Sequence, residues 1–382
     1  MNIAYLTHDT PDVFYRVGQY LDYLHSNDLS TSILRTPNDF YKRFHTFKAL
    51  SHYDVVVIQR KLFNAFWRSL LKKYARSLIL DIDDAIMFSS DEKNFRSRTR
   101  LGRYEKMVDL CDHIIVGNSY LKDITHEICP HASVTIIPTV VDPSLYPVKV
   151  HMENRPLVIG WIGSASTIKY LDLVQHVLRE FIHSHENVIF RIVSNEFPEW
   201  GWVEKKPWAR EQEIQDVLGF DIGIMPLVDN PWTRGKCGFK LIQYMAAGLP
   251  VVASPVGANN DIVDHGHNGF LASTHSEWAE ALSNLATNRD LRASFGAHGR
   301  KKIEEKYSVR SNLPSYISTI IGAAVAARDR ASGVDERQSN FPTALTHRKC
   351  YRSRAVASWG MLPRNGGNKW QTKASAKGQG ER

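Results

Sequence analysis

The 382-residue chain is 43% hydrophobic and 23% charged, which excludes a disordered or fibrous protein and provides for more than one ordinary domain. Its net charge of +8 equals the excess of twelve Lys or Arg over four Asp or Glu within residues 328–382, so the charge predicts no nucleic-acid partner for the folded part. The sequence shows no signal peptide, no run of about 18 apolar residues for a membrane span, and no CxxC pair among its four cysteines. We therefore expect a cytoplasmic protein without a zinc site or a disulfide framework.

The first 145 residues alternate short apolar runs with amphipathic stretches such as 62–77. Alternation of strands and helices predicts a parallel sheet that is covered on both faces. We assign residues 1–145 to a first Rossmann-like domain. Its predicted strands are 2–7, 54–58, 77–83, 113–117 and 134–141.

Four prolines within 138–156 predict the linker, and a second alternating series follows it. We assign residues 146–327 to a second Rossmann-like domain with a closing helix. Beyond it the periodicity ends, and a composition rich in Gly, Ser, Lys and Arg predicts a disordered basic tail over 328–382. The predicted strands of the second domain are 156–163, 187–194, 220–227 and 249–255, and the predicted helices are 170–185, 239–248 and 276–288.

A glycine-containing loop opens into a helix in the second domain. Gly235 and Gly238 precede a helix that begins near Phe239, and Lys236 and Lys240 add positive charge at its start. Backbone N–H groups at such a helix end, next to glycines that permit close approach, form a site for an anion. The alternative is an ordinary loop–helix junction with surface lysines.

The segment 234–273 contains QYMAAGLPVVASPVG at 243–257, an acid–Ile–Val at 261–263 and an Asn–Gly at 268–269. In order and spacing these residues resemble the donor-site motif of the retaining GT-B-fold glycosyltransferases of family 4. The similarity extends over residues 1–325 and is weaker in the first half. It implies a GT-B-like α/β fold in which two Rossmann-like domains face each other across a cleft, with the disordered tail appended.

The same resemblance implies a hexosyl- or related glycosyltransferase. A nucleotide-sugar donor would bind the C-terminal domain and a glycan or lipid-linked acceptor mostly the N-terminal domain. Transfer would retain the anomeric configuration and need neither a metal nor another cofactor, in the synthesis of bacterial surface polysaccharide or glycoconjugates. One rival hypothesis is a catalytically degenerate GT-B protein that binds a nucleotide sugar or acts as a scaffold. The others are a nucleic-acid-binding protein that acts through its basic tail and a nicotinamide-dependent Rossmann enzyme.

A second match lies where the strand IGWIG ends. In the family, a lysine six residues after the strand's final glycine reaches the donor diphosphate, and Gly163 and Lys169 hold these two places. Lys169 would then neutralise the charge that builds on the departing phosphate. The alternative for Lys169 is a solvated lysine near a helix start. The spacing of this strand end, Gly160 to Gly163, lacks the G-x-G-x-x-G pattern of nicotinamide enzymes.

The sequence departs from the family pattern at three places. Ser164 stands where the family has arginine, and Gly235 and Gln243 stand where it has glutamate. A glutamine still offers an acceptor and a donor to a ribose hydroxyl. Arg234, Lys236 or Lys240 would supply the positive charge that is missing at Ser164. The predicted donor-binding residues are Gly163, Ser164, Lys169, Arg234, Lys236, Gly238, Phe239, Lys240 and Gln243.

Three aspartates lie around the end of a predicted strand, where ligands bind in open α/β sheets: Asp81, Asp83 and Asp84. Many family members have a His–Asp pair at this point, so Asp83 and Asp84 are, with Lys169, the predicted catalytic residues, orienting the acceptor hydroxyl or accepting its proton. The alternatives are a capped strand–helix turn and a D-x-D metal motif, which the two-domain organisation disfavours. Arg16 is the predicted acceptor-binding residue, and a helix-surface arginine is its alternative.

Basic stretches at 38–50 and 93–106 have two interpretations. They are solvated faces, or they contact an anionic membrane or a lipid-pyrophosphate acceptor. The second interpretation would place the protein peripherally at the inner face of the membrane.

Overall fold

The computed structural model describes residues 1–7, 15–89, 95, 97–152 and 156–332. Within them the chain forms two six-stranded sheets, and all paired strands are parallel. The predicted α/β class, with two Rossmann-like domains, is confirmed. The predicted tail from residue 333 onward lies outside the described residues, as does residue 93 at the start of the second basic stretch.

The N-terminal sheet has the strand order β2-β1-β3-β4-β5-β6. Successive side chains of β1 enter different cores: Ala4 and Leu6 pack in one cluster, and Ile3 and Tyr5 in another. This alternation follows from the two-residue repeat of a strand and shows a sheet buried on both faces. The strands are β1 (Asn2–Thr7), β2 (Ser30–Arg35), β3 (Val55–Gln59), β4 (Leu78–Ile82), β5 (His113–Val116) and β6 (Val134–Ile136).

Helices connect these strands and begin at polar caps. The side chains of Asp39, Asn64 and Asn118 each accept a hydrogen bond from a backbone N–H in the first turn of the helix that follows, which satisfies one of that turn's unpaired donors. The α-helices of this half are α1 (Leu21–His25), α2 (Phe40–Ala49), α3 (Ala65–Tyr74), α4 (Arg98–Leu110) and α5 (Ser119–Ile128), with short 3-10 turns at Gly18–Tyr20, Leu50–His52 and Pro143–Leu145.

The C-terminal sheet has the strand order β12-β11-β10-β7-β8-β9, and its core is likewise divided into two clusters on opposite faces. The strands are β7 (Leu157–Ile162), β8 (Val188–Ser194), β9 (Glu204–Pro207), β10 (Ile222–Met225), β11 (Val251–Ala253) and β12 (Gly269–Leu271).

The helices of the second half include the one that the glycine-containing loop opens. The α-helices are α6 (Ala165–Ile168), α7 (Gln175–Ser184), α8 (Glu213–Leu218), α9 (Pro231–Arg234), α10 (Phe239–Ala246), α11 (Asn259–Ile262), α12 (His275–Thr287), α13 (Arg289–Lys302) and α14 (Val309–Ser332), with 3-10 turns at Lys169–Leu173 and Arg210–Gln212 and a π-helical turn at Ile303–Tyr307.

The long last helix, α14, returns to the N-terminal sheet. The Tyr316 ring stacks on Tyr20 with ring centroids 4.2 Å apart, and its hydroxyl donates to Tyr5 at 3.2 Å. The sequence predicts a closing helix within the second domain and a tail from residue 328. In the structure this helix continues to Ser332 and covers the first domain, because its apolar face completes the core beneath β1 and β3.

No helix of the described segments is long and apolar enough to cross a bilayer.

Candidate active site between the two domains

The carboxyl ends of strands from both sheets meet in one place. Asp83 and Asp84 follow β4, and Asn118 follows β5; opposite them lies the loop before α10. Asn118 Nδ2 donates to the carbonyl of Lys236 at 3.1 Å, and Cys237 Sγ donates to the carbonyl of Asp83 at 3.0 Å. Carboxyl edges of parallel strands are where α/β proteins bind ligands. The candidate residues of the two halves therefore share one cleft.

Two glycines allow this close approach. Gly238, immediately before α10, has φ +66°, a left-handed conformation that an L-residue adopts only at a cost. A Cβ on Gly235 would lie 2.5 Å from Cβ of Ala85 in the other domain. The position where the family carries its first glutamate thus has no room for a side chain in this arrangement.

The first turn of α10 is positively charged. Lys240 Nζ lies 3.4 Å from Thr167 Oγ1 and 5.3 Å from the ring centroid of Trp161. Burial, with the neighbouring charge of Lys236, lowers the pKa of Lys240 to about 7. Acidic side chains are favoured near the N-terminus of a helix, but the first turn of α10 contains none. Unsatisfied backbone donors and lysines at this point together favour an anionic ligand.

The end of β7 lies against the same helix start. A Cβ on Gly163 would come within 2.5 Å of Lys240 Cε, so the glycine lets that side chain lie across the strand end. Ser164 is exposed, and its hydroxyl is 2.9 Å from that of Ser166. Lys169 is also exposed, at the start of the 3-10 turn that follows α6, with Nζ 5.3 Å from the Tyr170 ring centroid.

Arg60 joins the two carboxylates, a role that the sequence analysis does not assign to it. Its Nε lies 3.0 Å from Asp83 Oδ1, and its guanidinium also pairs with Asp84. Lys236 Nζ, from the other domain, lies 3.6 Å from Asp84 Oδ1. Arg60 has φ +53°, a strained conformation of the kind that persists mainly at functional sites. Its position directly after β3, at the same sheet edge, is the only sequence signal for it.

Arg16 does not lie where the prediction placed it. It is 3% exposed, its NH2 lies 2.8 Å from Asp81 Oδ1, and its NH1 donates to the carbonyl of Ile137 at 2.7 Å. A guanidinium with these buried partners is held inside the first domain. This placement argues against the predicted contact with an acceptor, because such a contact would leave the buried Asp81 carboxylate without its charged partner.

The Arg16–Asp81 ion pair argues against the alternative in which Asp81 and Asp83 form a D-x-D metal motif. Asp81 is buried against Arg16 and Asp83 pairs with Arg60, so the two carboxylates do not face a common ion. In the described parts of the chain, no group of three or more His, Cys, Asp or Glu side chains could hold a metal ion.

Two predicted donor residues have protein partners of their own. Gln243 is 2% exposed, and its Nε2 donates to the Tyr146 hydroxyl at 3.4 Å, so contact with a ribose requires that bond to be exchanged. Arg234 forms two hydrogen bonds with Asp229, at 2.6 and 2.9 Å. It therefore reaches the cleft only through its backbone carbonyl, which lies 3.5 Å from Asn118 Nδ2.

Tyr15, to which the sequence analysis assigns no role, lies at one side of the cleft. Its hydroxyl donates to the Glu213 carboxylate at 2.9 Å, and its ring centroid lies 4.9 Å from that of Phe239. Burial and the carboxylate raise the pKa of Tyr15, so the hydroxyl stays protonated. Tyr15 and Phe239 therefore form an aromatic wall contributed by both domains.

The half of this cleft built on β7 and α10 matches a known protein family. Residues 156–288 match the family model described as "Glycosyl transferases group 1". This domain is a glycosyl transferases group 1 domain. A curated relative is D-inositol 3-phosphate glycosyltransferase of Stackebrandtia nassauensis, 25% identical over 228 residues, which are 52% of this chain and 52% of that protein.

A second relative is sucrose-phosphate synthase 4 of Arabidopsis thaliana, 26% identical over 180 residues. The match covers 44% of this chain and 17% of that protein, so the chain spans about half or less of the length of these relatives. Among solved structures, Anabaena HepE in complex with UDP and glucose has a TM-score of 0.60 at 16% identity, covering 84% of this chain and 99% of that one. This likeness confirms the two-domain GT-B architecture around the group 1 domain.

Proposed function

We propose that the protein is a glycosyltransferase that moves a sugar from a nucleotide-sugar donor to a hydroxyl of a glycan or lipid-linked acceptor, with retention. The observation that carries the proposal is the meeting of the lysine-rich start of α10 with the Asp83–Asp84 pair, 3.6 Å apart at Lys236 and Asp84. Transfer from a nucleotide sugar needs both parts: cations for a departing diphosphate, and oxygen acceptors that orient an incoming hydroxyl.

The donor diphosphate would bind at the start of α10. Its phosphate oxygens would accept hydrogen bonds from the backbone N–H groups after Gly238 and would lie near Lys240. Lys169, exposed on the opposite wall after β7, would swing onto the same phosphates. These positive groups stabilise the negative charge on the diphosphate as its bond to the sugar breaks.

The acceptor hydroxyl would bind near Asp83 and Asp84. Arg60 holds both carboxylates, so they would face the bound sugar together. In the proposed reaction the leaving diphosphate takes the proton of the acceptor hydroxyl on the face from which it departs. The aspartates then serve to orient that hydroxyl and to stabilise positive charge on the sugar.

Relatives support a sugar donor carried by a uridine nucleotide. HepE is solved with UDP and with UDP-glucose. UDP-sugars are accordingly the first donors to test. The expected absence of a metal requirement, and a cytoplasmic site of action, belong to the same proposal.

Thermal denaturation with nucleoside diphosphates and nucleotide sugars tests donor binding. A ligand at a hundredfold excess over its dissociation constant stabilises the native state by about 2.7 kcal/mol, which raises the melting temperature. A rise with one class of nucleotide is expected, and it should be lost in Lys240→Ala. A melting temperature that no nucleotide raises above that of the protein alone, at millimolar concentration, would contradict the proposal.

A degenerate GT-B binding protein is the second candidate. Two observations favour it: Gly235 has no room for the family's glutamate beside Ala85, and Gln243 is hydrogen-bonded to Tyr146. Such a protein would give the same rise in melting temperature but would release no nucleoside diphosphate from a bound donor.

A further inference from the structure

The N-terminal domain exposes a cluster of large aromatic side chains. Phe40 is 53% exposed, Tyr41 75% and Phe66 46%. The ring centroid of Phe40 lies 5.9 Å from that of Tyr41 and 5.7 Å from that of Phe66. Single exposed apolar residues are common, but contiguous apolar surface marks a site of interaction. We call these three residues the aromatic tip.

The two helices that carry the aromatic tip, with the loop before the second, are rich in positive charge. Residues 40–49 and 61–73 carry seven Lys or Arg and no Asp or Glu. Burial together with the charge of Arg43 lowers the pKa of Lys61 to about 8. Likewise, burial and the charge of Arg103 lower the pKa of Arg68. These cations repel one another, and an anionic partner would relieve that repulsion.

The aromatic tip lies on the rim of the cleft. Helices α2 and α3 follow the edge strand β2 and the inner strand β3, so both begin at the carboxyl edge of the N-terminal sheet. Phe40 and Tyr41 are the first residues of α2, and Phe66 is the second of α3. Asp83 and Asp84 leave β4 at that same edge. The tip and the candidate active site therefore face the same side of the domain.

We propose that the aromatic tip and its surrounding lysines and arginines dock the protein on the surface of an anionic lipid bilayer. Aromatic rings enter the headgroup region and cations contact lipid phosphates. A soluble polyanion would engage the cations and leave three rings in water, whereas a bilayer surface accommodates both. If the proposed function holds, docking sets the cleft beside a lipid-linked acceptor.

Flotation of the full chain with lipid vesicles tests this surface. Wild-type protein should float with phosphatidylglycerol–phosphatidylcholine vesicles and not with phosphatidylcholine alone, and high salt should release it. Phe40→Ser/Tyr41→Ser/Phe66→Ser should weaken binding by about tenfold or more. Lys42→Ala/Lys72→Ala/Lys73→Ala should also do so by about tenfold or more, since each cation near such a surface contributes about fivefold.

A matched control removes exposed apolar groups elsewhere. Val150 and Met152 are 78% and 59% exposed, and Val150→Ser/Met152→Ser should float like the wild type. The lysine variant changes only exposed side chains, so it serves as the test should the aromatic variant unfold. Circular dichroism checks the folding of each variant.

Three results would overturn the proposal: no flotation of the wild type with anionic vesicles, wild-type flotation of both test variants, or wild-type flotation of the folded aromatic variant with a loss only in the lysine variant. The last would show that the cations bind without the rings, as they would to a soluble polyanion. Release of nucleoside diphosphate from a soluble donor without vesicles should be unchanged in every variant. Its absence in the wild type, with flotation intact, would reject the proposed function and leave the docking surface standing.

Discussion

Lys169 is the residue whose removal should affect transfer most and folding least. It is exposed at the start of a 3-10 turn, so Lys169→Ala should leave the melting temperature unchanged. Losing one group that stabilises transition-state charge costs about 3 kcal/mol, or roughly a hundredfold in kcat. Steady-state kinetics with the best donor measures this, and Lys301→Ala, at an exposed lysine of α13, is the control. Equal rates for the two variants would remove Lys169 from the mechanism.

Lys240 makes donor binding depend on pH. Its pKa is lowered to about 7, so in the free protein the ammonium loses its proton as the pH rises through that value. A bound phosphate favours the charged form, and binding then takes up a proton above about pH 7. Donor affinity should therefore fall as the pH is raised from about 6 to about 8.5.

Calorimetric titration with a nucleotide sugar, in two buffers of different ionisation enthalpy, measures that proton uptake. Lys240→Arg stays charged throughout this range and should bind without proton uptake and with a flat pH profile. The prediction fails if wild type and Lys240→Arg share the same pH dependence.

Arg60 should act on catalysis through the two aspartates that it holds. Arg60→Gln frees Asp83 and Asp84 from their common partner, and misplaced reacting groups cost up to about a hundredfold in rate. We expect kcat to fall by about tenfold or more while KM for the donor changes little. Arg60→Lys, which keeps one charge, should recover part of the loss. A change confined to donor KM would instead place Arg60 in the donor site.

The roles assigned to single residues stay predictions, but the structure shows which candidates lie together. Lys236 was singled out in the loop before a helix and Asp84 after a strand, and their side chains lie 3.6 Å apart. Arg16 was assigned to a ligand because a sequence does not show that Asp81, 65 residues away, will be its partner. Arg60 was missed for a similar reason: its orientation depends on its left-handed backbone conformation, which no sequence motif predicts.

The glycine at the start of α10 gives an element-scale prediction. Gly238→Ala forces an L-residue to φ +66° and brings a Cβ against Ile262. The backbone alone costs about 1–2 kcal/mol, so the free energy of unfolding should fall by at least that much. Gly102, within α4, has nothing within 4 Å of its Cβ position. There an alanine should raise stability by about 0.5–1 kcal/mol.

Urea denaturation measures the free energy of unfolding of both glycine variants, which should fall for Gly238→Ala and rise for Gly102→Ala. Loss of stability at both positions, or at neither, would mean that the conformation before α10 is not the one described.

Elements with a strong apolar signal were predicted well, and edge elements were not. The buried strands β1, β3, β4, β7 and β8 lie within a residue or two of their predicted bounds. Of the edge strands, β2 and β9, which carry few apolar residues, and β12, which has only three residues, were not predicted. The remaining edge strand, β6, was predicted over 134–141 and ends at Ile136. The sequence predicted a closing helix but not that this helix covers the first domain.

At the scale of the whole molecule, two features of the group 1 domain and its partner domain bear on function. The glycine-lined loop at 235–238 contacts the first domain through Asn118 and Asp83, and α14 joins the second half of the chain to the first sheet. These contacts fix how the two halves of the cleft meet. Sequence patterns indicated both domains, but contacts between residues more than 100 positions apart leave no local trace.

Release of nucleoside diphosphate from purified nucleotide sugars, measured by chromatography in the presence of EDTA, tests the central claim most directly. The account predicts that wild-type protein releases the diphosphate from at least one UDP-sugar, faster when an acceptor glycan is added. It also predicts that Lys169→Ala reduces the release roughly a hundredfold. Binding of the same donor without any release, with EDTA or with added Mn²⁺, would contradict it and identify a non-catalytic nucleotide-sugar-binding protein.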